Sequence, residues 1–315
     1  MKSNIYIIGS SNTDMVIKSN SIPKPGETII RGDFYSFQGG KGANQAVAAA
    51  KLGGKAIFIC KVGDDSLGKK SIKEYERHGI NTEYICVDKG ENSGVALIMV
   101  DKKGENLISV ASGANSKLNL NDIIFIEKKL KPKDIVLIQL EIPLEVVKFI
   151  ISLCYRLNVK LILNPAPFNK IDDDYLRCIH TITPNMIEAE SLTGIKVFDI
   201  NSSRMAARKL KAKGIKNVFI TMGREGVFYI TDDEKEGHVL PKKVKAIDST
   251  AAGDTFNGAL AAALSFGMKI FDCVEFANSA ASISVTKMGA QDSIPSINEI
   301  EKKYKDLCLS LKVII

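Results

Sequence analysis

Tryptophan is absent from the 315 residues, and the chain has only three histidines and six cysteines. Leu, Ile, Val and Phe must therefore fill the core. The histidines lie far apart and lack the spacing of metal ligands. No two cysteines have the C-x-x-C spacing, and several lie inside apolar runs, so we expect small buried side chains in a reducing compartment.

Long apolar runs are also missing. No stretch approaches the ~20 residues that a membrane span needs, and the first apolar run, at residues 5–8, is too short for a signal-peptide core. The net charge is +7, from 43 basic and 36 acidic residues, and the lysines are scattered rather than interleaved with aromatic residues. We therefore expect a soluble cytoplasmic protein that binds neither nucleic acid nor membrane.

Apolar runs alternate with helical patterns along most of the chain. Strands are predicted at 5–8, 56–62, 134–140, 159–163, 179–183 and 217–221, and helices at 43–52, 66–78, 143–157, 185–192, 201–213, 253–266, 271–287 and 296–311. The sequence thus predicts a single α/β domain over 1–315, a three-layer sandwich whose mainly parallel central sheet is flanked by helices. Short β-like pieces predict a small antiparallel β lid formed by parts of about 13–37 and 84–111.

A run of small residues precedes the helix predicted at 253–266. The segment Asp248-Ser-Thr-Ala-Ala-Gly-Asp254 leaves backbone N–H groups unobstructed at a helix N-terminus, which favours anion binding. In the same turn, Asp254 could take a hydroxyl proton while those N–H groups stabilise a transferring phosphoryl group. On this segment alone, a helix-capping acid explains Asp254 about as well.

Polar segments also follow predicted strands, where ligands of open α/β sheets bind. Asn12 and Asp14 could bond the hydroxyls of a polyol, or form an Asx turn. Residues 37–46 are rich in glycine and include Lys41 and Asn44, but they match neither the Walker A nor the Gly-x-Gly-x-x-Gly spacing. A plain strand-to-helix turn explains them too.

Three later segments could also bind a ligand, and for two of them a plain structural role is the alternative. Glu141 could accept a hydrogen bond from another hydroxyl group. Glu188 could orient water on Mg²⁺, or be an ordinary acid in a first helical turn. Residues 221–226 form a glycine turn that suits nucleotide phosphates or a plain hairpin.

Together these segments resemble the ribokinase family, within the broader class of carbohydrate and purine kinases. The matching segments run in order over nearly the whole chain, at 11–14, 39–46, 185–188, 221–226, 248–258 and 285–291. The first two are more typical of this family than of other sugar or nucleoside kinases. The resemblance implies transfer of the ATP γ-phosphoryl group to the 5-hydroxyl of D-ribose, with Mg²⁺ and a monovalent cation, usually K⁺.

The resemblance also implies site residues. Asp254 is implied as the base, with an anion hole of Ala251, Ala252 and Gly253. The implied ribose pocket is Asn12, Thr13, Asp14, Gly40, Lys41, Gly42, Ala43, Asn44, Glu141 and Asp254 itself. The implied ATP site is Asn185, Glu188, Thr221, Met222, Gly223, Arg224, Glu225, Gly226, Gly253 and Asn278. The implied cation ligands, several through backbone carbonyls, are Asp248, Thr250, Ser284, Lys287, Gly289 and Ser293.

The resemblance further implies that the lid closes over ribose and joins two subunits as a homodimer. The chain departs from the family pattern at Asn278, where some relatives carry His, at Met222, where Leu is more usual, and at Ser249, where Thr is more usual. Deoxyribose, another furanose or a nucleoside stay open as substrates. A sugar-binding regulatory protein on the same fold is the non-enzyme alternative. A nicotinamide-dependent dehydrogenase would need a Gly-x-Gly-x-x-Gly motif, which is missing.

Overall fold

The computed structural model describes residues 3–303. Its strands are β1 Asn4–Ile8, β2 Asn12–Lys18, β3 Asp33–Gly39, β4 Lys55–Ile59, β5 Lys61–Gly63, β6 Cys86–Asp88, β7 Gly94–Val100, β8 Asn106–Ala111, β9 Ile135–Ile138, β10 Lys160–Leu163, β11 Thr181–Ile182, β12 Asn217–Thr221, β13 Val227–Ile230 and β14 Glu236–Val239. Its helices are α1 Lys41–Lys51, α2 Ser66–Arg77, α3 Leu120–Ile123, α4 Leu144–Arg156, α5 Asp173–Leu176, α6 Met186–Thr193, α7 Ile200–Ala212, α8 Ala252–Ser265, α9 Ile270–Ser284 and α10 Ile297–Lys303. The predicted helix 296–311 continues outside the described residues.

An eight-stranded sheet organises the fold, in the order β14-β13-β12-β11-β10-β9-β1-β4. Its pairs are parallel from β4 through β12, and β13 and β14 extend it as an antiparallel edge. This confirms the predicted α/β class and the mainly parallel central sheet. Continuous apolar runs such as residues 5–8 form its strands because both faces of the sheet are covered.

The two faces of the sheet contact two separate hydrophobic clusters. Ile5 and Ile7 pack with residues of α1, α8 and α9, while Tyr6 and Ile8 pack with residues of α4 and α7. Successive side chains of a strand point to opposite faces, so alternate residues of β1 belong to different clusters. The result is the predicted three-layer arrangement, with helices on both faces.

A second sheet of four strands, the small sheet, has the order β3-β2-β7-β8. Its β2–β3 and β7–β8 pairs are antiparallel, but β2 and β7 are parallel. The sheet is therefore mixed, and the prediction of a purely antiparallel lid is wrong at this pair. The physical reason is that a long crossover through β3–β6, α1 and α2 joins β2 to β7, whereas adjacent antiparallel strands can be joined by a short hairpin.

Other boundaries also differ from the predictions. The run predicted as one strand at 56–62 is divided at Cys60 into β4 and β5, and β5 pairs with β6 in a separate two-stranded sheet. Cys60, Cys154 and Cys273 are buried, and the cysteines within residues 3–303 are free thiols. Across the same range, no helix combines the length and the apolar character needed to cross a membrane.

Candidate active site

The loops at the carboxyl ends of β1, β9, β11 and β12 converge near the beginnings of α1 and α8. Glycine residues at the start of α1 allow its backbone to approach the loop after β1 closely. A Cβ on Gly42 would lie 2.6 Å from the carbonyl carbon of Gly9, and Gly40 has a φ of 88°. The N–H of Ala43 then donates to the carbonyl of Ser10 at 2.9 Å. The predicted glycine turn is therefore a tight junction that places Lys41 and Asn44 beside the first strand.

Asp254 lies in the first turn of α8 and is only 7% exposed. Its Oδ2 accepts a hydrogen bond from Asn44 Nδ2 at 2.9 Å, and its Oδ1 accepts one from Gln45 Nε2 at 2.9 Å. The N-cap residue is Ala251, which has a left-handed φ of 58°. Asp254 therefore does not cap the helix, and its carboxylate is held by α1 instead.

The N-terminus of α8 is open beside this carboxylate. Gly253 is exposed, and among the described residues no heavy atom lies within 4 Å of the position that its Cβ would occupy. The first N–H groups of a helix have no intrahelical acceptor and carry partial positive charge. Of the predicted anion hole of Ala251, Ala252 and Gly253, the N–H of Ala252 already donates to the carbonyl of Ser249 at 3.2 Å, whereas Gly253 is exposed. An anion next to the carboxylate, as a phosphoryl transfer requires, would therefore meet this turn at Gly253.

Four acids surround one lysine between the proposed sugar and nucleotide residues. Burial, reinforced by the charges of Glu141 and Asp254, raises the pKa of Asp14 to about 6, although Lys41 opposes the shift. Burial alone would lower the pKa of Lys41, but Asp254, Glu141, Glu188 and Asp14 outweigh it and raise the pKa. Lys41 therefore stays charged, and the acids that keep it so are those that sequence reasoning chose.

Glu141 is fixed by two donors. The Ser10 hydroxyl donates to its Oε2, and the backbone N–H of Lys41 donates to the same oxygen at 3.1 Å. Two buried atoms nearby, Thr13 Oγ1 and Asn44 Oδ1, have no hydrogen-bond partner within residues 3–303. Buried polar atoms without partners are unusual, and a bound polar ligand is one explanation.

Asn12 and Asp14 lie in β2 rather than in an Asx turn. Asn12 Oδ1 accepts from Asn115 Nδ2 at 2.8 Å, and the same Nδ2 group donates to the carbonyl of Ser11 at 3.0 Å. Asn115, which lies in a short 3₁₀ helix after the small sheet, is a site-supporting residue that sequence reasoning missed. Asn115 lies more than 100 positions from Asn12 in sequence, so no local pattern could have indicated this contact.

The proposed nucleotide residues surround the ends of β11 and β12. Asn185 caps α6 and forms a capping box with Glu188, whose oxygens accept from the backbone and side-chain nitrogens of Asn185 at 2.9 Å. Burial raises the pKa of Glu188, and the hydrogen bond from Asn185 opposes it. The geometry is therefore compatible with both interpretations of Glu188, as an acid of the first helical turn and as a residue that orients water on Mg²⁺, because a capping acid can also face a ligand.

Residues 221–226 form the hairpin between β12 and β13, and Thr221 also bridges to Asn185. Met222 is buried and its N–H donates to the carbonyl of Gly226 at 2.7 Å, whereas Arg224 and Glu225 are exposed. Gly223 and Gly226 both have positive φ values, which favour glycine.

Asn278 contacts the segment at the end of β14, which also packs against Gly226 of this hairpin. Its Nδ2 donates to the carbonyls of Val239 and Leu240 at 3.3 and 3.0 Å, which attaches α9 to the end of β14. The Asn278 side chain therefore stabilises the packing of α9 against β14, and its proposed role beside adenine stays a prediction.

The proposed cation ligands lie in a loop before α8 and in the segment after α9. Asp248 Oδ1 accepts from the N–H and hydroxyl of Thr250 at 2.9 and 2.6 Å, and its Oδ2 accepts from the N–H of Gly289 at 3.0 Å. Burial favours a higher pKa for Asp248, but these hydrogen bonds outweigh it and lower the pKa. The carboxylate is therefore charged, and it joins the two segments.

The other proposed ligands can offer backbone oxygen. Lys287 Nζ pairs with Glu299 at 2.5 Å, and the hydroxyls of Ser284 and Ser293 donate to carbonyls one helical turn back. One carboxylate with hydroxyl and carbonyl oxygens is a donor set for a hard cation. Within residues 3–303, no group of three or more His, Cys, Asp or Glu forms a conventional metal cluster.

The fold and these contacts are those expected of one class of protein, the open α/β enzymes that transfer a phosphoryl group to a small polar molecule. The family model described as "pfkB family carbohydrate kinase" matches residues 2–297 of the chain. A ribokinase of Haemophilus influenzae is 43% identical to the chain, over 95% of this chain and 97% of that protein. A deoxyribokinase of Salmonella typhi is 38% identical, over 95% and 97% respectively.

The fold of the chain is also similar to that of a solved ribokinase structure. The ribokinase of Arabidopsis thaliana, described as complexed with ribose and ATP, has a TM-score of 0.88 and 30% identity, covering 96% of this chain and 98% of that one. The chain therefore belongs to the pfkB family of carbohydrate kinases and is a ribokinase-like member of it.

Proposed function

We propose that the chain transfers the γ-phosphoryl group of ATP to the 5-hydroxyl of D-ribose, giving D-ribose 5-phosphate and ADP. The observation that carries the proposal is the position of Asp254. Its buried carboxylate lies in the first turn of α8, where Gly253 is exposed and has open space at its Cβ position, and Asn44 donates a hydrogen bond to that carboxylate from the proposed sugar pocket. The activity follows from a base and an anion hole that share one helical turn.

The steps follow from these positions. Asp254 accepts the proton of the sugar hydroxyl, the freed oxygen forms the bond to the γ-phosphorus, and the bond from that phosphorus to ADP breaks. The N–H groups of Gly253 and its neighbours stabilise the charge on the transferring group. The positive charge of Lys41, maintained by the surrounding carboxylates, attracts the same anionic group.

The choice of ribose rests on the relatives and on the polar pocket. Asn12, Asp14, Asn44 and Glu141 offer several partners for the hydroxyls of a furanose. A site built to bond a hydroxyl discriminates against a sugar that lacks it, because its polar groups are then left unpaired. Deoxyribose is the main alternative, since the Salmonella typhi relative carries that name at 38% identity. Another furanose and a nucleoside follow it.

Metal ions would complete the site. Glu188 and Asn185 would hold the waters of Mg²⁺, which neutralises phosphate charge when it is bound. The oxygen donors of Asp248, Thr250, Ser284, Gly289 and Ser293, with the backbone of Lys287, would hold K⁺, whose charge strengthens the field at the start of α8.

The small sheet would act as the lid of a single domain and as a dimer interface. On the face opposite Asp14, Ile17, Phe34, Leu97 and Leu107 are 44%, 62%, 54% and 51% exposed. Contiguous exposed apolar surface is typical of a protein interface, so we infer a homodimer through this face. The cytoplasmic location stays a prediction.

The test is ADP release with ribose, deoxyribose, fructose and adenosine, each with and without K⁺. We expect ribose to have the highest kcat/KM and K⁺ to increase it. A higher kcat/KM with deoxyribose would move the assignment to that sugar. If no sugar or nucleoside released ADP while ribose still bound, the regulatory alternative would replace the enzyme.

A further inference from the structure

The two oxygens of the Asp254 carboxylate have different surroundings. Oδ2 accepts from Asn44, which lines the sugar pocket. Oδ1 accepts from Gln45 Nε2 at 2.9 Å, and Gln45 is fully buried with 0% exposure. One oxygen therefore faces the pocket and the other faces the interior of the protein.

The amide of Gln45 is itself held in one orientation. Its Oε1 accepts from Gln139 Nε2 at 2.6 Å, and its Nε2 also donates to Asn164 Oδ1 at 3.0 Å. A reversed amide would place its oxygen against the carboxylate oxygen of Asp254, which is unfavourable. The charge of Asp254 and the donor from Gln139 thus select the same orientation.

The network returns to the helix that carries Asp254. Asn164 Nδ2 donates to the carbonyl of Thr183 at 3.3 Å, and the Thr183 hydroxyl donates to Asn257 Oδ1 at 2.6 Å. Asn257 Nδ2 then donates to the carbonyl of Gly253 at 2.8 Å. The carboxylate and the anion-binding turn are therefore joined by one network of hydrogen bonds, buried except at its last link to Gly253, as well as by the backbone.

We propose that Gln45 is a positioning residue for phosphoryl transfer: it holds Oδ1 so that Oδ2 faces the sugar hydroxyl at a fixed offset from the first turn of α8. The inference rests on the proposed function, because it presumes that Asp254 is the base. A displacement of about 1 Å in a reacting group lowers the rate about 100-fold. Gln45 does not touch the substrate, so it acts through Asp254.

The test replaces Gln45 with methionine, which keeps the length of the side chain and removes its donor. We expect Gln45→Met to lower kcat about 10- to 100-fold, while KM for ribose and for ATP changes less than about threefold. The matched control is Asn217→Leu. Asn217 is also a buried amide with two hydrogen-bond partners, His180 O and the N–H of Asp232, but it lies at the far end of β12. This control loses stability without losing kcat.

Two further variants separate the possible outcomes. Adding Gln45→Met to Asp254→Asn lowers the residual kcat no further if Gln45 acts only through that carboxylate. If Gln45→Met does not fold, Gln45→Asn, which keeps an amide one methylene shorter, must show the same loss of kcat with little change in KM. Native-like kcat in a folded Gln45 variant, with Asp254→Asn inactive, overturns the positioning role alone. An active Asp254→Asn enzyme overturns the proposed function instead.

Discussion

Replacing Gly253 with alanine separates the stability of the helix from its use as an anion site. Gly253 is exposed in the first turn of α8, its φ is not positive, and an added Cβ meets no heavy atom of the described residues within 4 Å. Alanine also restricts the unfolded chain and favours a helix, which together contribute about 0.4–1 kcal/mol. We therefore expect Gly253→Ala to raise the unfolding temperature by about 1–3 °C.

The same methyl group would occupy the space that the transferring phosphoryl group needs. The backbone N–H stays in the variant, but the methyl group would keep the phosphoryl group away from it. We therefore expect kcat to fall about 100- to 1,000-fold, as it does when one oxyanion-type donor is lost. The measurements are calorimetry of the free protein and steady-state ADP release. Gly90→Ala is the control, since Gly90 is an exposed glycine outside the proposed site with only Asp88 Oδ1 near its Cβ position, at 3.6 Å. A stable Gly253→Ala enzyme with native kcat would refute the anion hole.

Three other predictions concern the pocket, the cation and the small sheet. Between pH 4 and 6 the side chain of Asp14 binds more protons in the native state than in the unfolded chain, because burial raises its pKa to about 6. The contribution of Asp14 to stability therefore falls as pH rises through this range, and Asp14→Asn should stabilise the protein by about 2–3 kcal/mol at pH 7 but not at pH 4 in urea unfolding, while raising KM for the sugar. An equal gain at both pH values would contradict this. Asp248→Asn should remove most of the activation by K⁺ in the ADP-release assay; undiminished activation would place the cation elsewhere. Phe34→Glu should produce a monomer in light scattering, with Asn106→Glu, which adds the same charge on the other face of that sheet, as the control; an unchanged dimer mass would exclude this face.

Much of the central sheet could be predicted because its signals are local. Residues 5–8 and 218–220 are short apolar runs within strands, and the glycines that follow helices mark the helix ends. The small sheet was harder, because its β2–β7 pair joins residues about 80 positions apart and no local pattern encodes the direction of pairing. The β13–β14 hairpin was not predicted as a pair of strands.

The candidate site likewise contains residues that local motifs indicate and residues whose roles depend on distant partners. Four of the proposed site residues could be chosen from the sequence because each lies in a short motif at a strand end or helix start: Asp254, Asn44, Lys41 and Glu141. Gln45 is adjacent to Asn44 in sequence, yet its role depends on Asn164 and Gln139, which are 119 and 94 positions away. Such partners come together only through the parallel sheet, so the chain gives no periodic or spacing signal for them.

The most direct measurement is the kcat of Asp254→Asn with ribose and saturating ATP, beside calorimetric binding of ribose to the same variant. Asparagine keeps the shape of the side chain but cannot accept the hydroxyl proton. We predict that ribose still binds and that kcat falls about 100- to 10,000-fold, the usual contribution of a general base. An Asp254→Asn variant that binds ribose and keeps most of its turnover would contradict the assigned chemistry.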